Sequence, residues 1–122
     1  MAKSWKVYVV KLHEDARERV LARMPRLQRM RIDRRLPPVY VGVTAQTPKV
    51  RYAKHKAGGI TSASIVRDHG VGLLESLFRD RNPLDAKTEA KALEAEAALA
   101  EDLRDRGYAV WGEHGQPLHL DR

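Results

Sequence analysis

The 122 residues include no cysteine, so neither a disulfide framework nor a thiolate metal site can form. No apolar run approaches the roughly 20 residues that a membrane-spanning helix requires, and the first residues lack the long apolar stretch of a secretory signal. No internal repeat is present, and no linker is long enough to separate two domains. A chain of this length holds one core rather than two. The expectation is a soluble, cytoplasmic protein with no membrane contact. A single domain is expected over residues 1–112, interrupted by a basic helical insert at about 13–37 and followed by a tail over 113–122.

What the chain does have is positive charge, unevenly placed. Residues 1–56 hold 15 Lys/Arg against 4 Asp/Glu, a net +11, whereas residues 57–122 hold 8 against 12, a net −4. A basic half of this kind suits a polyanion, with nucleic acid first and an anionic membrane second. The densest stretch is Arg17, Arg19, Arg23, Arg26, Arg29, Arg31, Arg34 and Arg35. These arginines either contact a nucleic-acid backbone or form a solvated face paired with Glu14, Asp15 and Glu18.

The pattern of elements is mixed. Trp5 to Leu12 is β-branched and aromatic and is predicted as a strand. A helix is expected from His13 to about Met24, with Val20, Met24 and Leu27 spaced by four and three, and Pro25 should break it. Pro37-Pro38 forces an extended approach into a second strand, Val39 to Thr44. Thr47 and Pro48 form a cap and first-turn pair for a helix running to about Ala57, closed by Gly58-Gly59. Thr61 or Ser62 is expected to cap a short helix ending near His69. Val71 to Phe78 is the third strand candidate. Asp85 is expected to cap a long helix that Gly107 ends, leaving Tyr108 to Trp111 as a short apolar segment that packs back on the sheet. The sum is an α+β domain.

On the long helix one carboxylate is out of place. At about 100° per residue, Ala92, Leu93, Leu99, Ala100 and Leu103 form one apolar stripe, and Glu96 falls within it. Glu94 falls on the opposite, charged side with Glu101 and Asp105. A carboxylate turned into a core costs several kcal/mol unless a cation, a metal or several donors satisfy it. Arg51 and His55 stand four apart on one face of an earlier helix. Tyr8 and Tyr40 lie in the two apolar runs Val7–Val10 and Val39–Val43. Two strand tyrosines, an Arg and a His one turn apart, and an inward Glu form a constellation suited to cleaving a phosphodiester. Each also has a structural alternative: Glu96 as the partner of Arg51 or another cation, the tyrosines as core residues with a hydroxyl at the rim, and His55 as a solvated helix residue. His13, His69, His114 and His119 show no metal-ligand spacing.

In this order the motifs resemble those of the GIY-YIG nuclease superfamily. Lys6-Val7-Tyr8 stands at the first tyrosine motif and Tyr40-Val41-Gly42, followed by Thr44, at the second. Arg51-Tyr52-Ala53-Lys54-His55 with Gly58 matches the following helix, and Glu96 matches the metal-binding Glu of a later one. The resemblance spans about residues 5–112. Lys6 and Val7 replace the Gly and Ile of the first motif, the gap between the tyrosines is long and holds the arginine-rich insert, and Ala109 stands near the position of an Asn.

The resemblance implies a small three-stranded antiparallel sheet flanked by helices, and a metal-dependent endonuclease acting on DNA, with RNA as the other possible substrate. It implies one Mg²⁺ or Mn²⁺ held at Glu96, Arg51 on the phosphate, Tyr40 as the group that activates water, with Tyr8 as its hydrogen-bonding partner, and His55 as the base or its assistant. Lys49, Lys54, Lys56 and Arg67 would surround the site, and Arg26, Arg29 and Arg31 would extend the nucleic-acid contact. Two other functions fit the sequence: a member of the fold that binds nucleic acid without cutting, and a basic adaptor for an anionic protein or surface. The last leaves Glu96 unexplained.

Overall fold

The computed structural model describes residues 4–59 and 63–111. Its first strand, β1 (Lys6–Leu12), is followed by a 3₁₀ turn and two short helices, α1 (Arg17–Leu21) and α2 (Arg26–Arg29). Then come β2 (Val39–Thr44), α3 (Pro48–Ala57), α4 (Ser64–His69), β3 (Gly70–Leu73), α5 (Glu89–Asp105) and β4 (Val110–Trp111). The strands form one sheet in the order β3-β1-β2-β4. The α+β class and the flanking helices are as expected, but the three-stranded antiparallel sheet is not. β1 pairs antiparallel with β2 and β3, while β4 pairs parallel with β2, so the sheet is four-stranded and mixed.

The fourth strand is the Tyr108–Trp111 segment expected only to pack on the sheet. Gly107, at φ +101°, turns the chain after α5, and Val39 N–H donates to the Ala109 carbonyl at 2.9 Å, setting Val39 beside Val110 and Tyr40 beside Trp111. The third strand is shorter than expected. β3 ends at Leu73, after which two 3₁₀ turns, Glu75–Leu77 and Arg79–Arg81, tuck Phe78 into the core. The β1 edge beyond β3 is completed by a side chain. Asn82 accepts from Val7 N–H and donates to the Val7 carbonyl, both at 2.8 Å, as a neighbouring strand would.

The helix ends follow capping chemistry. Thr47 accepts from Val50 N–H at 3.2 Å at the start of α3, with Pro48 in the first turn, as expected. The long helix starts at Glu89 rather than Asp85, because Thr88 is the residue whose hydroxyl accepts from a first-turn amide, Lys91 N–H at 3.2 Å. Ala86 instead packs with Trp5 and Ala92 in a small second cluster. The helix expected over His13 to Met24 is broken into a 3₁₀ turn and α1, and α2 restarts after Pro25. The main core gathers Val7, Val9, Val39 and Val41 from the sheet with Val20, Ile65, Leu99 and Leu103 from the helices. No helix among the described residues is long and apolar enough to cross a membrane. The expected tail at 113–122 and the caps Thr61 and Ser62 lie outside the described residues.

Candidate active site

Strand pairing brings the two tyrosines together. Tyr8 sits opposite Gly42 and Tyr40 opposite Val10 on adjacent antiparallel strands, which places both phenols on one face of the sheet. Their ring centroids are 6.1 Å apart. Gly42 is what allows this. A Cβ there would lie 2.6 Å from the Cζ and Oη of Tyr8 and 3.0 Å from the Tyr40 ring, so any side chain would displace the Tyr8 ring. The glycine of the second motif is therefore fixed by packing against the tyrosine of the first.

α3 delivers Arg51 and His55 to the same place. His55 is only 1% exposed, so it is not the solvated helix residue that the sequence allowed. Its Nε2 lies 2.8 Å from the Tyr8 hydroxyl, and its Nδ1 accepts from Ala63 N–H at 2.9 Å. A neutral imidazole with Nδ1 accepting must carry its proton on Nε2. His55 consequently donates to the Tyr8 oxygen and cannot take a proton from it. Burial, reinforced by Arg51, pushes the imidazole down to about 4, which keeps it neutral and in this tautomer at physiological pH. The geometry makes His55 an orienting donor, not the base.

The direction of the remaining hydrogen bonds follows. The Tyr8 hydroxyl also interacts with Tyr40 and Arg51, and a guanidinium can only donate. The Tyr40 oxygen is the acceptor that this neighbourhood offers the Tyr8 proton. Burial raises the Tyr8 pKa above the usual phenol range, the Tyr40 hydroxyl adds to the rise, and Arg51 opposes it. Tyr8 stays a protonated phenol, and the polar chain runs from Ala63 through His55 and Tyr8 to Tyr40.

Glu96 closes the site. It is 3% exposed, in the stripe where the helical wheel put it, beside buried Ala92, Leu99, Ala100 and Leu103. Burial raises its carboxyl to about 8, and its buried Oε2 has no hydrogen-bond partner among the described residues. Glu94 is exposed and pairs with Lys91 at 3.5 Å. Tyr8, Tyr40, Val43, Arg51, Glu89, Leu93 and Glu96 line a cleft of about 240 Å³. All five residues singled out for chemistry thus converge, four on the cleft and His55 behind Tyr8. No cluster of three or more His, Asp or Glu side chains capable of holding a metal occurs among the described residues. The cleft offers one buried carboxylate, with Glu89 two turns away on the same helix face.

The surrounding cations divide. Lys49 and Lys54 on α3 are exposed. Lys56 is committed to the fold, donating to the carbonyls of Arg67 and Gly70 at 3.1 and 2.9 Å. Arg67 pairs with its neighbour Asp68 at 3.0 Å. Arg26, Arg29 and Arg31 are all exposed, Arg31 with Asp105 3.7 Å away. Sequence reasoning did not find the strand neighbour of Tyr40, Trp111. It pairs with Tyr40 across the β2–β4 ladder, and the guanidiniums of Arg19 and Arg23 lie 5.6 and 4.4 Å from its ring, within cation–π range. Only the parallel pairing of β4 reveals this, and a two-residue strand carries no readable period. Comparison of the chain with protein-family models, with curated proteins and with solved structures finds no match.

Proposed function

We propose that the chain is a metal-dependent endonuclease of GIY-YIG type that hydrolyses phosphodiester bonds of DNA. The observation that carries this reading is Glu96: a buried carboxylate oxygen with no protein partner among the described residues, facing a cleft shared with two phenols and a guanidinium. A core carboxylate left in that state is costly, and a hard cation relieves the cost. The donor set fits Mg²⁺ or Mn²⁺, which prefer carboxylate oxygen and keep several waters rather than demanding an all-protein cage. When bound, such an ion neutralises charge on the phosphate and on the leaving oxygen.

The protein groups then have distinct tasks. Arg51 grips phosphate oxygens with its forked donors. Tyr8, held by His55, stays protonated and donates to Tyr40, which fixes the orientation of the Tyr40 oxygen at the cleft. Tyr40 positions the attacking water and accepts its proton. A second reading, binding without cleavage, draws on Ala109, which is fully buried and has no polar side chain to offer where family members carry Asn.

The test is incubation of the purified protein with supercoiled plasmid in Mg²⁺, in Mn²⁺ and in chelator, beside Glu96→Ala. Metal-dependent nicking that disappears in the variant is the expected result. Binding by the wild type with no nicking in either metal would leave the second reading standing and overturn the first.

A further inference from the structure

Helix α2 is inverted relative to a helix stabilised by its own core. Val20 and Met24, the first two members of the apolar series in this segment, are buried. The third, Leu27, is 75% exposed and Met30 is 72% exposed. They stand three apart and share one face. α2 contributes no buried residue, and on its other side the Gln28 Oε1 is buried without a hydrogen-bond partner among the described residues. Single exposed apolar residues are ordinary. A helix that turns a polar amide inward and both large apolar side chains outward forgoes burial on one side and leaves a polar atom unsatisfied on the other.

The surroundings of this pair identify what it meets. Arg23, Arg26, Arg29 and Arg31 are exposed around it, and all eight cations of residues 17–35 are arginine, with no lysine. Guanidinium pairs with phosphate through two parallel donors and stacks on flat rings, which ammonium does not. The segment is also continuous with the candidate active site: Arg19 and Arg23 lie over Trp111, and Trp111 is paired beside Tyr40. A polyanion that runs from the cleft past β4 meets Arg19 and Arg23 at Trp111, and α2 follows them directly in the chain.

Resting on the nuclease reading above, we propose that Leu27 and Met30 form an apolar wedge that enters an unstacked base step of DNA while the arginines around them hold its phosphates. Inserting apolar side chains between base pairs costs unstacking energy, and that cost is smallest where the step is already open or deformed. The preferred substrate is therefore duplex DNA with a branch, nick or other deformed step, in preference to regular duplex.

The experiment compares the full chain with the double variant Leu27→Ser/Met30→Ser on two short DNAs, a regular duplex and a branched one. The branched DNA carries 2-aminopurine at its branch point. The wild type should bind the branched DNA about tenfold tighter than the duplex and raise the 2-aminopurine fluorescence as the base unstacks. The double variant should lose both the preference and the fluorescence rise, with its salt dependence unchanged, because no charge has been removed. Both side chains are exposed, so its Tm should match the wild type, and Leu27→Ala/Met30→Ala provides a milder version of the same comparison. A variant that keeps the preference and the fluorescence rise overturns the wedge while leaving the nuclease reading intact. Wild-type protein that binds neither DNA overturns both. Binding to phosphatidylserine vesicles that the double variant loses, with DNA binding unchanged, overturns the wedge by assigning the patch to a membrane surface.

Discussion

At the scale of single residues, Glu96 connects stability to function. Its carboxyl is raised from an ordinary 4.5 to about 8 by burial, and the groups that share its cleft are Tyr8, Tyr40, Arg51 and Glu89. Because the folded pKa lies above the unfolded one, between these values the folded chain holds a proton that the unfolded chain has released. Stability from this group is therefore full below 4.5 and is lost as pH rises through 8. Stability of the wild type against denaturant should fall across that window relative to Glu96→Gln, by at most on the order of 5 kcal/mol. Mg²⁺ at the alkaline end should restore stability to the wild type and not to the variant, since only the ionised carboxylate gains from the ion. Parallel pH profiles for the two proteins, with no metal effect, would show that Glu96 is satisfied in some other way. The inward carboxylate could be found from sequence because a helix has a fixed angular step. The tautomer of His55 could not, because it depends on the Ala63 amide eight residues away.

Elements with strong local chemistry were legible for the same kind of reason. β1, β2 and α3 lie where the β-branched and aromatic run, Pro37-Pro38 and the Thr47-Pro48 cap place them. The misplacements occur where tertiary contacts decide. Thr88 outcompetes Asp85 as a cap, the Asn82 side chain substitutes for more of β3, and β4 gains its identity only by lying against β2. The arginine-rich segment combines both cases. Arg17 looks like its neighbours in sequence but is buried, bonded to Glu14 and donating to the carbonyls of Leu36 and Arg34 at 2.6 and 3.4 Å. It anchors the segment rather than touching a partner. Arg26, Arg29 and Arg31 are the outward members, so replacing all three with Ala should weaken DNA binding without unfolding the chain. Each phosphate that the protein no longer neutralises lowers the salt slope by about one, so the triple variant's slope should fall by about two to three. Arg31 should count for less than the other two because Asp105 lies near it. An unchanged slope in a titration of Kd against salt would remove these arginines from the interface.

Across the whole molecule, the separation of charge orients a polyanion rather than merely attracting one. The first 56 residues carry net +11 and the remainder −4, and the acidic excess is partly displayed on α5 opposite the cleft. Glu94 and Glu101 are exposed and lie about 140–160° around the helix from Glu96. On the nuclease reading proposed above, negative charge on that face would discourage DNA from docking where no cleft exists, while Arg51, Lys49 and the arginine-rich segment would draw it to the cleft. Reversing both, Glu94→Lys/Glu101→Lys, removes a surface pair with Lys91, worth little to stability, together with the favourable interaction of Glu101 with the buried Arg104 guanidinium, and takes the formal charge of +7 up by four. Total binding should tighten several-fold at low salt because a second basic face now exists. The single-turnover cleavage rate at saturating protein should nevertheless fall, since part of the bound population sits on the wrong side of α5. Anisotropy titration beside a single-turnover assay separates the two effects. Tighter binding with an undiminished cleavage rate would mean that the cleft alone selects the bound orientation, and that the acidic face of α5 has no part in it.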